Sequence, residues 1–197
     1  MAPAGPLTGI EDPENAVPFK LRALTALTDA LAEISKDNGY SHDLGEFVAD
    51  DGAMMRRTYR GRAFFGDSDP LPMVAVLERP DPADELAEPP ADTSTGAYEW
   101  NLIVQGFVQD DKQDPTDPAY KLLADIRFRL AHERTRKDET GRVADPLGLG
   151  GRRKKNRVEA LEFGSGVVRP ADEVSAKAYF WLGVTLRLIE DPLFPFA

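Results

Sequence analysis

Residues 98–130 read YEWNLIVQGFVQDDKQDPTDPAYKLLADIRFRL, and the change of period inside this stretch decides the fold. Tyr98, Trp100, Leu102, Val104 and Val108 fall on one face of an alternating segment, with Glu99, Asn101 and Gln105 opposite. A period of two built from aromatic and β-branched residues is that of a half-buried strand. The DPTDP segment stops it, because proline cannot donate to a sheet ladder and aspartate favours turns. Leu122, Ile126 and Leu130 then recur at spacings of four, with Leu123 beside them, so the chain restarts as a helix. Asp117 is expected to cap that helix and Pro118 to occupy its first turn.

Working outward, residues 1–17 read as an irregular arm, and Pro18 opens an amphipathic helix. Leu21, Leu24, Leu27, Leu31 and Ile34 form its apolar stripe, and Asn38-Gly39 is expected to end it. Residues 43–53 suggest a short strand and an acidic turn. Residues 54–66 suggest a strand with a basic face (Arg56, Arg57, Arg60, Arg62) or an extended connection. The run PMVAVLE at 72–78 reads as a buried strand, and residues 79–96 as a long exposed loop. Residues 132–156 read as a second long loop, with a basic tip. A strand from 157 is expected to end near Gly164-Ser165-Gly166.

The last strand, residues 177–189, sets Ala178, Phe180, Leu182, Val184, Leu186 and Leu188 on one face. Tyr179, Trp181, Thr185, Arg187 and Ile189 form the other, which is too apolar for a fully wetted surface. Tyr179, Trp181 and Ile189 are therefore candidate subunit-interface residues. The terminal EDPLFPFA is a proline-punctuated tail that could dock on a partner. The expected architecture is α+β: a mainly antiparallel sheet packed against two helices, within one domain spanning residues 1–197.

Composition narrows the function classes. A chain of 197 residues with 42% hydrophobic content can bury a core, and its mean hydropathy of −0.39 is that of a soluble protein. No apolar run approaches the ~20 residues of a membrane helix, and the N-terminus lacks the basic start and apolar centre of a secretory signal. The absence of cysteine excludes disulfides and thiolate metal sites. The net charge of −10 is uneven: residues 127–157 hold 11 Lys/Arg against 4 Asp/Glu, a local +7, and the remainder carries −17.

Catalytic signatures are weak. His42 and His132 stand in different segments, with nothing beside them that would complete a zinc site or a Ser-His-Asp triad. Asp110, Asp111, Asp114 and Asp117 offer the hard oxygens that cations prefer, but at a spacing that lacks the glycine and glutamate of a calcium loop. A turn and a helix cap account for them. The glycines of 147–151 are not followed by the Lys-Ser/Thr pair of a phosphate loop. No metal or cofactor is expected, and the chain is read as a non-enzyme. Arg152, Arg153, Lys154, Lys155 and Arg157 are candidate contacts for DNA or an acidic partner. With no interleaved aromatic residue they would touch phosphates rather than stack on bases.

Three stretches together carry a resemblance: RGRAFFGDSDPLPMVAVLE (60–78), YEWNLIVQGFVQDDKQDPTDPAYKLLADI (98–126) and VVRPADEVSAKAYFWLGVTLRLIED (167–191). In this order they resemble tail terminator, or tail completion, proteins of long-tailed bacteriophages; the 79–96 and 132–156 loops match least. The resemblance implies a ring, usually of six subunits, that caps the head-proximal end of the tail tube and stops its polymerisation. The implied partners are the tail tube protein, the head-tail connector or stopper protein and DNA passing non-specifically through the lumen. The implied location is the virion tail, with assembly in the host cytoplasm. Alternatives are another neck, head-tail joining or minor tail protein, or a freestanding DNA-binding module using the basic loop. A carboxylate metal enzyme centred on 110–117 ranks last.

Overall fold

The computed structural model describes residues 16–66, 68–79, 96–137, 140–141, 145–150, 156–171, 177–191 and 194–196. The 1–15 arm, the 80–95 loop and Arg152–Lys155 of the basic cluster lie outside the described residues.

The first element is helix α1 (Phe19–Ala32), which buries Phe19, Ala23, Leu27 and Leu31. It ends well before Asn38-Gly39, contrary to the expectation from sequence. Ser35 turns extended (φ −146°, ψ 155°), its hydroxyl accepts from the Asn38 N–H at 3.3 Å, and the Lys36 N–H donates to Asp43 at 2.8 Å. A short side chain that competes for backbone donors breaks the helix and caps a separate 3-10 turn (Lys36–Asn38). Gly39, at φ 85°, closes that turn instead of the helix.

Strands β1 (Phe47–Val48) and β2 (Met54–Met55) form a small antiparallel hairpin. The main sheet comprises β3 (Thr58–Arg60), β4 (Met73–Glu78), β5 (Gly96–Val108), β6 (Arg157–Phe163), β7 (Val167–Arg169) and β8 (Ala178–Glu190). Its order is β3-β4-β5-β8-β6, with β7 also on β8. Every pairing is antiparallel except β3 with β4, which is parallel. Strands β5 and β8 pair along all thirteen residues of each and form the spine. The outer flank of β8 is shared by β6, opposite Val184–Ile189, and β7, opposite Tyr179–Trp181, on either side of the predicted Gly164-Ser165-Gly166 break.

Helix α2 (Asp117–Arg134) crosses β5, β6, β7 and β8, and α1 packs beside it over β3. Both helices lie on one face of the sheet, so the architecture is α+β, a mainly antiparallel sheet with its helices on one side. Pro118 sits in the first turn of α2 as expected, but Asp117 is itself the first helical residue and Thr116 precedes it as the cap position. The turn is organised by Asp111 instead, whose carboxylate accepts from the Gln113 and Asp114 N–H groups at 2.8 and 3.0 Å. These bonds hold the Asp111 carboxyl below its ordinary pKa.

The covered face is filled by Trp100, Leu102 and Val104 of β5, Phe180, Leu182, Val184, Leu186 and Leu188 of β8, and Leu122, Ile126 and Leu130 of α2. At its rim, Tyr98 donates from its hydroxyl to Glu190 at 2.6 Å, and Lys20 of α1 lies 5.2 Å from the Tyr98 and Trp100 ring centres. Burial first, and then Glu190, push the Tyr98 phenol far above its usual value of about 10. A folded-state pKa raised above the unfolded one leaves stability intact below that unfolded value and erodes it as pH rises further. Tyr98→Phe is accordingly expected to reduce the alkaline loss of stability. The check is the urea midpoint of both proteins near about pH 8 and about pH 11, where parallel shifts would refute the assignment.

Candidate functional site

The basic loop is anchored at both feet by groups from distant parts of the chain. On α2, Asp125, Arg129 and Glu133 recur every four residues and are mostly enclosed against neighbouring elements. Arg129 donates from Nε to the Ala30 carbonyl of α1 at 2.8 Å, and its Nη2 meets Glu33 at 2.5 Å and Glu133 at 2.8 Å. Glu133, 4% exposed, also accepts the Leu147 N–H at 3.2 Å, with Arg136 3.6 Å away. Leu147 lies in a 3-10 turn (Pro146–Gly148) with φ 61°, a conformation costly for leucine. Burial of its side chain and the bond to Glu133 offset that cost.

The other foot is Asn156, 2% exposed. Its side-chain amide donates to the Phe194 carbonyl at 2.6 Å, and its oxygen accepts the Asp191 N–H at 2.8 Å. The Val158 N–H donates to Leu149 O at 2.8 Å and closes the loop between them.

Two expectations change here. Residues 132–156 are not one loose loop, because α2 continues through Arg134 and the residues around Leu147 and Asn156 are packed. The EDPLFPFA tail docks on its own subunit: Asn156 holds Phe194, and the Pro195 carbonyl accepts the Phe19 N–H at the start of α1 at 2.8 Å. A helix N-terminus with unsatisfied donors is a natural partner for a stray carbonyl.

Of the five basic candidates, Arg157 belongs to β6, opposite Ile189, and the other four lie outside the described residues. Whatever surface the four present, its base is fixed to the helix layer by Glu133 and to the C-terminal tail by Asn156.

The face of the sheet opposite the helices carries Tyr179, Trp181 and Ile189. An aromatic series runs across it from Tyr59 to Phe65 (5.9 Å between ring centres), Phe107 (4.9 Å), Tyr179 (6.1 Å) and Trp181 (5.6 Å). Met73 and Phe107 pack on Tyr179 and leave it 5% exposed, whereas Trp181 is 37% exposed. Arg62 lies over the Tyr59 and Phe65 rings at 4.7 and 4.9 Å and grips both oxygens of Asp69 at 2.7 and 2.8 Å. Ile189 stands eight residues along β8 from Trp181, about 26 Å at strand rise, beside Ala97 and Arg157. The three candidates share a face but not a patch: Trp181 remains the accessible member of the aromatic end, and Tyr179 is already covered within the subunit.

The histidines are placed apart. His42 Nδ1 lies 2.7 Å from Asp125, which also accepts the Ser41 N–H at 3.0 Å, so this pair ties the segment after α1 to α2. His132 lies tilted against Phe128, with ring centres 5.1 Å apart. Among the described residues no group of three or more His, Asp or Glu is placed to hold a metal ion, Asp110–Asp117 included. Among them too, no helix is long and apolar enough to cross a membrane.

Sequence reasoning passed over Asp125, Arg129, Glu133 and Asn156. The first three left a trace, an i, i+4, i+8 series of ionisable residues. Asn156 left none, because its partners lie 35 and 38 residues away. No protein-family model matches this chain, and a search of curated proteins likewise finds no match.

Proposed function

We propose that this chain is a structural subunit of a tail terminator ring, seated at the head-proximal end of a phage tail tube. There it would end tube polymerisation and join the tail to the head connector. The supporting observation is the resemblance carried by residues 60–78, 98–126 and 167–191. Those stretches correspond to β4 with the end of β3, to β5 with the first half of α2, and to β7 with β8, so they make up most of the sheet and its main helix. Among the described residues the helices cover one face of the sheet, and Trp181 is accessible on the other, which suits a subunit completed by neighbours. The role is non-enzymatic and needs no cofactor. The ring is a homohexamer; its partners are the tail tube protein, the connector or stopper protein and DNA traversing the lumen. It works in the virion after assembly in the host cytoplasm.

Negative-stain imaging with light scattering of the purified chain tests this reading. Rings with a central hole of tube width are expected. A chain that stays monomeric as concentration rises overturns a self-assembling ring.

The +7 region favours one second reading, a DNA-binding module that acts as a monomer. It predicts affinity that falls steeply with salt, by about a hundredfold or more between 50 and 200 mM for a cluster of this size. Salt-sensitive DNA binding by the isolated monomer, lost when Arg152, Arg153, Lys154 and Lys155 are replaced by Ala, is expected on this second reading alone. The ring reading expects normal folding and impaired head-tail joining or DNA retention in particles. Fully infectious particles would remove the loop from either account.

A further inference from the structure

Two exposed patches on different elements of this chain complement one another. The first is the β1–β2 hairpin. Val48 and Met54 are cross-strand partners and are 63% and 64% exposed, an apolar pair standing in water. Hydrogen bonds close the hairpin turn. Ala49 and Ala53 close the turn at 2.8 Å, Gly52 donates to Ala49 O at 2.9 Å, and Asp51 accepts the Ala53 N–H at 2.9 Å. At its root Arg57 lies 4.4 Å over the Phe47 ring. Its tip presents the carboxylates of Asp50 and Asp51, both exposed.

The second patch is the outer face of α2. Tyr120, Ala124 and Phe128 follow at spacings of four and form a continuous exposed stripe, Tyr120 and Phe128 being 58% and 59% exposed. Phe128 is held edge-on by Tyr40 at 5.8 Å. The exposed cations Lys121 and Arg127 flank the stripe. A soluble helix ordinarily presents polar residues on this face, so a repeated aromatic there calls for a partner.

We infer that the hairpin of one copy docks on the α2 stripe of a second copy, with Val48 and Met54 on Tyr120, Ala124 and Phe128, and Asp50 and Asp51 beside Lys121 and Arg127. Apolar surface meets apolar surface, and negative meets positive. Two stripes brought together two-fold would instead oppose Lys121 and Arg127 to their own kind, which like-charge repulsion disfavours. The contact is therefore head-to-tail, and each copy keeps one free hairpin and one free stripe. Such contacts propagate until rotation closes them into a ring. The inference deepens the ring reading and rests on it for that closure.

The absence of cysteine makes a clean test possible. Full-length Met54→Cys and Ala124→Cys variants, each checked for unchanged circular dichroism, are mixed and oxidised. Both positions are exposed, and Val48, Tyr120 and Phe128 are retained. The expected product is a disulfide-linked dimer holding one chain of each kind, at about tenfold the yield of either variant alone. The pair Asp50→Lys with Asp51→Lys, or Lys121→Glu with Arg127→Glu, should each reduce that yield by about tenfold, and all four changes together in every chain should restore it. Met54→Cys cross-linking to itself as readily as to Ala124→Cys indicates a two-fold contact and overturns the inference, as does the absence of any mixed dimer. Imaging of the unmodified chain separates the two levels. Rings without the mixed dimer overturn this contact and keep the ring; mixed dimers without rings keep the contact and overturn the closed ring.

Discussion

Arg129→Met is expected to lower the free energy of unfolding by about 3–5 kcal/mol, the usual cost of removing one partner from a buried ion pair. The guanidinium joins three things: the Ala30 carbonyl of α1, the exposed Glu33 and the buried Glu133. Their weights differ because their solvation differs. The Glu33 side chain is 66% exposed, so its bond is screened, and Glu33→Ala should cost no more than about 1 kcal/mol. The Glu133 side chain is 5% exposed, and without Arg129 its buried charge would keep, among the described residues, only the Leu147 N–H and the more distant Arg136. Urea unfolding of the two variants checks this. Equal losses would mean that the buried Glu133 pair adds nothing beyond the exposed Glu33 bond. The effect should also reach the loop, because Glu133 holds Leu147 in its left-handed conformation. Proteolysis between residues 145 and 156 should therefore accelerate in Arg129→Met more than global stability alone requires.

Phe180→Ala is expected to cost about 3–5 kcal/mol, the range for deleting a fully buried aromatic ring. Phe180 is wholly buried in the central strand β8, directly opposite Gly106 of β5. A Cβ built on Gly106 would lie 2.2 Å from Cε1 and 2.5 Å from Cζ of that ring, so the glycine is the floor on which the ring rests. Gly106→Ala alone is expected to destabilise by about 1–3 kcal/mol through overpacking. In the double variant the added methyl enters space that the ring has left, so the combined loss should fall short of the sum of the single losses. Strict additivity, measured by urea unfolding of all four proteins, would show that the two positions do not share this space.

These two sites differ in how far they could be read from the chain. The alternation of β5 and β8 assigns their buried faces without any knowledge of pairing, since a period of two sends every second side chain to the same side. Phe180 is on the correct face of β8 by that argument, and Leu122, Ile126 and Leu130 follow from the helical period. Gly106 interrupts the apolar face of β5, and nothing local explains it. Its reason is a ring contributed from 74 positions later. The cluster around Arg129 and Glu133 lies between these extremes. Its i, i+4 spacing is visible, yet the same spacing on an exposed helix face would be an ordinary surface pair.

Among the candidate surface residues the same rule holds. The alternation places Tyr179, Trp181 and Ile189 on one face of β8, as the structure does. It cannot say that Met73 and Phe107 come across from β4 and β5 to cover Tyr179, or that Ile189 ends far from the aromatic series. Ser35 illustrates a local competition that the helical pattern hides: the apolar stripe continues to Ile34, but a side-chain hydroxyl captures the backbone and ends the helix early.

By itself, then, the order of residues 98–130 determined a strand, a proline-punctuated turn and a helix, because hydrophobic periodicity and turn chemistry act within a few residues. Only the tertiary structure decided that β5 lies against β8 along its whole length, that both helices cover a single face, and that the carboxylate of Glu133 and the amide of Asn156 anchor the feet of the basic loop. It also decided that the C-terminal tail closes on α1 instead of reaching outward. These outcomes depend on bonds and contacts between residues tens of positions apart. Their energies come from desolvation and close packing, which have no local signature along the chain.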